Sequence, residues 1–381
     1  MTRLSRRQLL GSLAAGIYGA SVSGWFPAFA DQLAANPNRK RHCVLLWMSG
    51  GPTQTDTWDM KPGHANGGEF QEIQTASPGL RFSEHLPKLA AMSDKLAVMR
   101  GLSTNEGDHG RGTYLMRTGH TPAGPVNHPS IGAAIARHLY DGQLALPGNV
   151  AIGPFRAFNA DAFGPGYLGP SFGPLIVGAS DMPSVPANNP QGFAELKVQS
   201  LERSAGITEA RMNKRLDIWQ KLQADFLATR GGAAKTHNTV YQGAVQLMNS
   251  EDAKAFDLSD EPEKLREEYG RSVFGQGCLL ARRLIERGVP FIEVSLGTSS
   301  GGVGWDTHSD NFNAVRALSA DLDAGWATLM RDLDDRGLLE STTILWMGEF
   351  GRTPAINGNV GRDHFPAAWS TVLEGGGIAG G

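Results

Sequence analysis

The sequence predicts an α/β protein with a doubly wound, largely parallel sheet, and three observations support this prediction. Short continuous apolar runs such as 42–48 (HCVLLWM) and 342–347 (TTILWM) are typical of strands buried on both faces. A glycine-containing polar loop follows each of these runs, and a long amphipathic pattern at 312–336 precedes the last one. Strands and helices that alternate in this way collect their polar loops at the carboxyl ends of parallel strands.

The elements follow one another along residues 40–381, which we expect to form one domain. Strands are predicted at 42–48, 96–99, 290–296 and 342–347, with a further strand at 370–374. Helices are predicted at 86–92, 131–140, 272–287 and 312–336.

The middle of the chain departs from this alternation. Residues 153–190 are rich in Gly, Pro, Ala and Ser and predict a long irregular segment, and 196–248 has helical periodicity with many charges. We therefore expect 153–287 to be a loop and helical insertion. The chain stops abruptly in the glycines of 375–381, which normally lead on to more structure, so the sequence predicts a fragment truncated at its C-terminus.

The first 30 residues have the pattern of a twin-arginine signal peptide. Arg6 and Arg7 precede a mildly apolar stretch rich in Gly and Ala, and Ala28-Phe29-Ala30 offers the small residues of a cleavage site. This predicts export to the periplasm or the outside and a mature chain without a transmembrane segment. An uncleaved membrane anchor is the alternative, although glycines and serines thin the apolar run.

Composition excludes several classes of protein. The 381 residues are 40% apolar, which is ample for a large core, and the net charge is −3. Since no Lys/Arg cluster occurs beyond the N-terminus, nucleic acid is not an expected partner. Cys43 and Cys278 are far apart in apolar surroundings and indicate neither a disulfide framework nor a thiolate metal site.

Carboxylates and imidazoles follow four of the predicted strands. They are Asp56 and Asp59, then Asp108 and His109, then Asp306 and His308, and finally Glu349, Asp363 and His364. Such a mixture without thiolates suits divalent ions such as Zn, Mn, Mg or Ca, and two sets could hold two ions. We expect Asp56, Asp306, His308, Glu349, Asp363 and His364 to be metal ligands.

Two arginines in these loops, Arg111 and Arg352, are candidates for binding the oxygens of an anionic substrate. Simpler structural roles stay open for part of this set. Arg352 and Asp363 would also serve to hold a loop through salt bridges, and Asp56 would also serve to cap the segment that follows it.

Several motifs resemble those of the DUF1501 family, which belongs with the alkaline phosphatase and sulfatase superfamily. They are GGPTQTDTWDMKP, YLMRTGHTP, WDTHSDNF, GEFGRTP and GRDHFP, and the resemblance runs from about residue 40 to the end. It implies an alkaline-phosphatase-like α/β/α sandwich and a metal-dependent hydrolase of phosphate or sulfate esters. Asp306 and His308 resemble the superfamily's Asp-and-His ligand pair, Glu349 lies where the superfamily has an Asp, and His364 resembles its late histidine ligand.

The chain departs from the superfamily pattern at two places. The first strand ends in Met48-Ser49-Gly50 where a metal-binding aspartate is usual. Sulfatases carry their nucleophile in a C-x-P-S-R pattern, ten residues before a Thr-Gly pair. Counting back from Thr118-Gly119 places Asp108 and His109 where the nucleophile would be, and Thr113 aligns with the arginine of the pattern. The resemblance therefore disfavours formylglycine chemistry. It leaves Asp108, His109, Thr113, Arg111 and Arg352 as catalytic candidates, with Thr104, Thr113 or a water molecule as the nucleophile.

Two functions from different classes remain open at this point. One is an exported metal-dependent hydrolase whose substrate is an anionic small-molecule or polysaccharide ester. The other is a non-catalytic protein of the same fold that binds an anionic ligand or an envelope partner. A phosphomutase-like enzyme is less compatible with export. Convergence of metal ligands and a nucleophile in space is the feature that separates these interpretations.

Overall fold

A seven-stranded sheet lies at the centre of the protein. The computed structural model describes residues 41–140, 142–178, 192–201, 203, 206–229, 232–297 and 304–381. These residues belong to one unit, Arg41–Gly381. The twin-arginine segment predicted at 1–30 lies outside the described residues. Among the helices that are described, none has both the length and the apolar composition needed to cross a bilayer.

The strands, in chain order, are β1 (His42–Trp47), β2 (Glu72–Gln74), β3 (Arg81–Ser83), β4 (Leu96–Leu102), β5 (Asn149–Ile152), β6 (Leu175–Val177), β7 (Phe291–Ser295), β8 (Thr342–Met347), β9 (Gly351–Arg352), β10 (His364–Phe365) and β11 (Trp369–Gly375). The order in the main sheet is β4-β11-β8-β1-β7-β5-β6. β1 is parallel to both of its neighbours, and β5 is parallel to both of its own. Within the sheet as described, β11 is antiparallel to both of its neighbours, β4 and β8.

The predicted fold class is confirmed, because all four strands predicted to share a sheet do so and the sheet is largely parallel. The strand predicted at 370–374 is β11, whose antiparallel direction its sequence does not reveal. β5 and β6 were not predicted. They have only four and three residues, and a run this short carries too little periodicity to stand out among the glycines and prolines around it.

The helices are α1 (Pro87–Ala91), α2 (His109–Thr118), α3 (Ile131–Leu139), α4 (Glu209–Thr229), α5 (Ala233–Met248), α6 (Glu263–Tyr269), α7 (Val273–Glu286) and α8 (Asn311–Asp335). α2 was not predicted as a helix, since its HGRGTYLMRT sequence contains two glycines. The segment expected to be an insertion, 153–287, contains β6 and α4 to α7. Its separation from the rest of the domain stays a prediction.

Helices cover both faces of the sheet, as the alternation of side chains along β1 shows. Val44 and Leu46 belong to a large core cluster that also contains apolar residues of α7 and α8. Leu45 and Trp47 point to the opposite face, where they join a second cluster with residues of α2 and α3. The architecture is therefore a three-layer α/β/α sandwich. Burial on both faces explains why β1 reads as a continuous apolar run.

A buried ion pair fixes α2 on its face of the sheet. Arg117, near the end of α2, binds the carboxylate of Glu293 on β7, and both side chains are almost fully buried. The guanidinium also lies over the rings of Phe163, at 3.7 Å, and Trp47, at 4.9 Å. Because removing one partner of a buried pair leaves an uncompensated charge, this contact holds α2 in one position.

Glu374 is a second buried acid. It belongs to β11, and its side chain contacts Trp326 of α8. Its Oε2 accepts a hydrogen bond from Trp326 Nε1 at 3.1 Å, whereas its Oε1 has no hydrogen-bond partner among the described residues. Burial raises the pKa of Glu374 from 4.5 to about 8. The folded protein therefore keeps this carboxyl protonated at neutral pH.

This pKa predicts the effect of Glu374→Gln on stability. The unfolded chain loses the Glu374 proton above about pH 4.5, while the folded protein keeps it to about pH 8, so the free energy of unfolding falls between these values. Glutamine mimics the neutral acid. At pH 8 the variant should be more stable than the wild type, on the order of 2 to 4 kcal/mol, and near pH 4.5 the two should agree. Denaturant unfolding at both pH values measures this.

The control is Glu72→Gln on β2, which replaces an exposed glutamate. It should leave the free energy of unfolding within about 0.5 kcal/mol of the wild type at both pH values. A Glu374→Gln variant that is no more stable than the wild type at pH 8 would contradict the burial of a neutral carboxyl.

Candidate metal centre

Four side chains meet beyond the carboxyl ends of the parallel strands. Asp306 and His308 follow β7, His364 lies in β10, and His109 is the first residue of α2. Asp306 Oδ1 lies 3.2 Å from His109 Nε2, 3.1 Å from His308 Nε2 and 3.4 Å from His364 Nε2. The two Nε2 atoms of His308 and His364 are 2.9 Å apart. One carboxylate oxygen and three imidazole nitrogens therefore point at a common position.

The opposite nitrogen of each imidazole is fixed by an acceptor. His109 Nδ1 lies 2.7 Å from Glu349 Oε1, and His308 Nδ1 lies 2.9 Å from Asp363 Oδ1. His364 Nδ1 lies 2.7 Å from the backbone oxygen of Gly107. Because carbonyl and carboxylate oxygens only accept, each Nδ1 carries a proton, so each ring in its neutral form presents a lone pair at Nε2. Metal-binding histidines are usually oriented in this way.

The four side chains, which we call the His-Asp cluster, fit a divalent metal ion. The Nε2 atoms of His308 and His364, 2.9 Å apart, form a hydrogen bond when one of them carries a proton, and a cation bound to both would take the place of that proton. His109 Nε2 is buried and lies 3.2 Å from Asp306 Oδ1. His109, Asp306 and His364 each offer a ligand atom, and these atoms lie within 4.8 Å of one another. Three imidazoles and a carboxylate without thiolates suit zinc or another borderline divalent ion.

The position of His109 is set by the start of α2. Asp108 is the N-cap of this helix, and its side chain accepts a hydrogen bond from Arg111 N at 3.0 Å. Phe158 stacks on the His109 ring with a centroid distance of 4.2 Å and an interplanar angle of 3°. The ring is therefore held by its helix, by Glu349 and by an aromatic face.

Arg352 holds Asp306 from behind the cluster. Its Nη2 donates to Asp306 Oδ1 at 2.6 Å and also to the backbone oxygen of Gly50. Its Nε donates to Gly51 O at 3.0 Å and its Nη1 to Arg362 O at 3.2 Å. At least four of its five N–H groups are thus engaged, and the side chain is fully buried. At most one N–H group of Arg352 is therefore left for the substrate oxygens that this side chain was predicted to bind.

The charges of the cluster shift two pKa values in opposite directions. Burial opposes the ionisation of Asp306, but hydrogen bonds with His109, His364 and Arg352 hold the pKa of that carboxyl well below its usual range. Burial likewise opposes protonation of His109, but hydrogen bonds to Asp306 and Glu349 raise its pKa to about 9. Without a metal ion, His109 is therefore a cation at neutral pH.

Three predicted metal ligands lie outside the His-Asp cluster. Asp56 is fully buried and binds Arg362 through both carboxylate oxygens, at 2.7 Å and 2.8 Å. Glu349 accepts hydrogen bonds from His109 and from Gly50 N, and Asp363 accepts one from His308. Glu349 and Asp363 thus orient the rings of His109 and His308 through the Nδ1 atoms, on the side of each ring away from Asp306. Among the residues that the structure describes, one set of ligands converges.

The predicted catalytic residues have varied surroundings. Asp108 caps α2, and Arg111 is paired with Glu106 through contacts of 2.6 Å and 2.7 Å. Thr113 is buried in α2, and its hydroxyl has no hydrogen-bond partner within the described ranges. His109 faces Asp306 and is placed as a ligand. The structure does not show a contact of Asp108, Arg111 or Thr113 with the His-Asp cluster.

Sequence reasoning missed several groups that shape the centre. They are the carbonyl of Gly107, the ring of Phe158 and the side chain of Asn357, which donates to Asp363 Oδ1 at 3.1 Å. A carbonyl has no signature in the sequence, and Phe158 lies in the segment predicted to be irregular. The Asn-Gly-Asn turn at 357–359 was the available signal, because asparagine side chains in turns bind neighbouring backbone groups.

Comparison with known proteins gives a family and several distant structures. The family described as "Protein of unknown function (DUF1501)" matches residues 40–381. No curated protein matches the chain significantly.

Three solved structures match the chain at low sequence identity. The PsFucS1 sulfatase from Pseudoalteromonas sp. has 12% identity and a TM-score of 0.41, and the match covers 93% of this chain and 66% of that one. The lipoteichoic acid synthase LtaP from Listeria monocytogenes has 12% identity and a TM-score of 0.37, with 89% and 66% covered. Ps i-CgsB has 10% identity and a TM-score of 0.33, with 90% and 68% covered. The chain thus spans about two thirds of the length of these proteins.

The raised pKa of His109 predicts that metal affinity depends on pH up to about 9. A ligand nitrogen has to lose its proton before it binds, so the apparent Zn²⁺ affinity should rise about tenfold per pH unit from pH 7 to pH 9. Competition with a chromophoric chelator across this range measures the slope. In His109→Gln the slope should be smaller by about one proton. An affinity that is equal at pH 7 and pH 9 would show that no proton leaves the cluster.

Proposed function

The chain belongs to the DUF1501 family, and we propose that it is a metal-dependent hydrolase of phosphate or sulfate esters. The observation that carries this proposal is the His-Asp cluster. In it three histidines have outward Nδ1–H groups held by acceptors, and their Nε2 atoms meet one oxygen of Asp306. A divalent ion held there would act as a Lewis acid on the ester and lower the pKa of water.

The protein's own groups favour an anionic substrate beside the cluster. His109 is the first residue of α2, so the partial positive charge of the helix start lies at the cluster. Arg352 adds a permanent positive charge behind Asp306. The side chain of His308 is 45% exposed, so the cluster is open to solvent on that side. An anionic small molecule or the ester group of a larger polysaccharide would approach from there.

Water is the nucleophile in this proposal. Thr113 is buried, and the hydroxyl of Thr104 donates to the backbone oxygen of Glu106 at 3.5 Å. Neither hydroxyl is directed at Asp306 or the histidines by any contact in the described part of the chain. The residues then have simple roles: Asp306, His109, His308 and His364 bind, while Glu349 and Arg352 orient His109 and Asp306.

One observation favours the alternative, a binding protein without catalysis. Both arginines expected to hold the substrate oxygens are committed to carboxylates, Arg111 to Glu106 and Arg352 to Asp306. Transition-state stabilisation of a transferring phosphoryl or sulfuryl group usually draws on such cations. A protein that binds metal and anion but cleaves no ester would fit this arrangement.

Replacement of His364 tests the hydrolase proposal. His364→Ala removes an Nε2 ligand, so zinc or manganese content should drop from about one ion per chain to below about 0.1. Hydrolysis of the p-nitrophenyl esters of phosphate and sulfate should fall at least about 100-fold. Elemental analysis and release of p-nitrophenol measure the two effects.

The matched control is His138→Ala, which replaces an exposed histidine on α3. It should leave metal content and hydrolysis unchanged. A wild type that contains metal but cleaves no ester would support the binding protein, and a wild type without metal would contradict the metal-dependent hydrolase.

We propose in addition that the chain is exported by the twin-arginine pathway, which rests on Arg6, Arg7 and the Ala28-Phe29-Ala30 site. Replacing both arginines by lysine should retain the precursor in the cytoplasm, because this pathway reads the arginine pair. Fractionation followed by N-terminal sequencing should find Asp31 as the first residue of the exported wild type. An exported protein that still begins at Met1, or normal export of the lysine variant, would contradict this proposal.

A further inference from the structure

We propose that Asn357 is a positioning residue that fixes His308 for metal binding. This inference rests on the proposed metal function and goes beyond it, because it assigns a role to a side chain outside the His-Asp cluster. The Asn357 amide nitrogen donates to the backbone oxygen of His308 at 3.0 Å and to Asp363 Oδ1 at 3.1 Å. The same Asp363 oxygen accepts from His308 Nδ1 at 2.9 Å. Asn357 therefore contacts His308 both directly and through its carboxylate partner.

The other half of the Asn357 side chain is fixed as well. Its Oδ1 accepts hydrogen bonds from Asn359 N and Gly361 N, each at 2.9 Å. Both donor and both acceptor directions of the amide are thus used. The donors of this side chain face His308 and Asp363, and its acceptor faces the loop that carries it.

The loop of Asn357 is joined closely to the loop of His308. Asp310 N donates to Asn359 O at 3.1 Å, Asn311 N to Val360 O at 3.0 Å, and Arg362 N to Thr307 O at 3.0 Å. At Gly361 the two backbones approach so closely that a Cβ atom would overlap the carbonyl of His308. Asn357 acts from within this double loop, so its position is well determined.

His308 needs such support more than the other two histidines do. Its side chain is 45% exposed, whereas those of His109 and His364 are 12% and 26% exposed. Its partner Asp363 is 56% exposed. An exposed carboxylate holds a neighbour weakly, because both side chains keep rotational freedom and water competes for the hydrogen bond. Asn357 restricts both Asp363 and the His308 backbone. Less conformational entropy is therefore lost when His308 binds a metal ion.

The test compares Asn357→Asp with Asn359→Ala. Aspartate keeps the acceptor for Asn359 N and Gly361 N but cannot donate, and it repels Asp363. Asn359 lies in the same loop, and its side chain makes no hydrogen bond to other described residues. Zn²⁺ affinity is measured by competition with a chromophoric chelator at one pH. Asn357→Asp should bind about 10- to 100-fold more weakly than the wild type, and Asn359→Ala should stay within about twofold.

A double-mutant cycle separates positioning from general damage. In a His308→Ala background, Asn357→Asp should weaken Zn²⁺ binding by no more than about twofold, because the residue on which Asn357 acts is gone. An equal loss in both backgrounds, or no loss in either, would overturn the inference. If Asn357→Asp does not fold, Asn357→Ala decides, since it removes the donors to His308 O and Asp363 Oδ1 without adding a charge and should give the same pattern in both backgrounds.

The failure of this inference can be told apart from the failure of the proposed function. A wild type that takes up no Zn²⁺ removes the metal function and this inference with it. If the wild type binds Zn²⁺ and the Asn357 variants bind it equally tightly, only the positioning role is contradicted.

Discussion

One carboxylate oxygen, Oδ1 of Asp306, is the point on which the candidate centre depends. It accepts a hydrogen bond from Arg352 and faces the Nε2 atoms of three histidines. A half-buried carboxylate in this position needs compensating charge, because removal from water disfavours its ionised form. Arg352 supplies one permanent positive charge, and the protonated ring of His109 supplies a second. In our proposal, a divalent ion takes the place of the His109 proton, so Asp306 is compensated in both states.

Buried arginines hold the loops that carry this centre. Arg352 connects Asp306 to the loop after β1 through the carbonyls of Gly50 and Gly51. Arg362 connects the segment before β10 to Asp56 in that same loop, and both side chains are fully buried. Such pairs add little net stability, since desolvation offsets much of the attraction, but they strongly disfavour arrangements in which one partner is left alone. The loops are therefore restricted to one arrangement even though they contain many glycines.

The sheet provides the common edge at which these loops meet, and much of it could be predicted. β1, β4, β7 and β8 were found from short apolar runs, and in the central strands β1, β7 and β8 these runs reflect burial on both faces of the sheet. The two shortest strands of the main sheet, β5 and β6, were not found, and neither was α2. Helix α2 contains two glycines, and its position is fixed by tertiary contacts, among them the ion pair of Arg117 with Glu293 and the apolar contacts of Met116. Local sequence does not report such tertiary contacts.

The sequence by itself determined the class of fold and the kinds of side chain at the centre. Apolar periodicity predicts the strands, and carboxylates and imidazoles after them predict a metal-binding edge. Only the tertiary structure decided the role of each group. His109, expected to be catalytic, faces Asp306 beside two other histidines, whereas Glu349 and Asp363, expected to be metal ligands, accept hydrogen bonds from histidines, and Asp56 is paired with an arginine. The reason is that a carboxylate is a ligand, an orienting acceptor or half of an ion pair according to which atom lies about 3 Å away, and loops from distant parts of the chain set that distance.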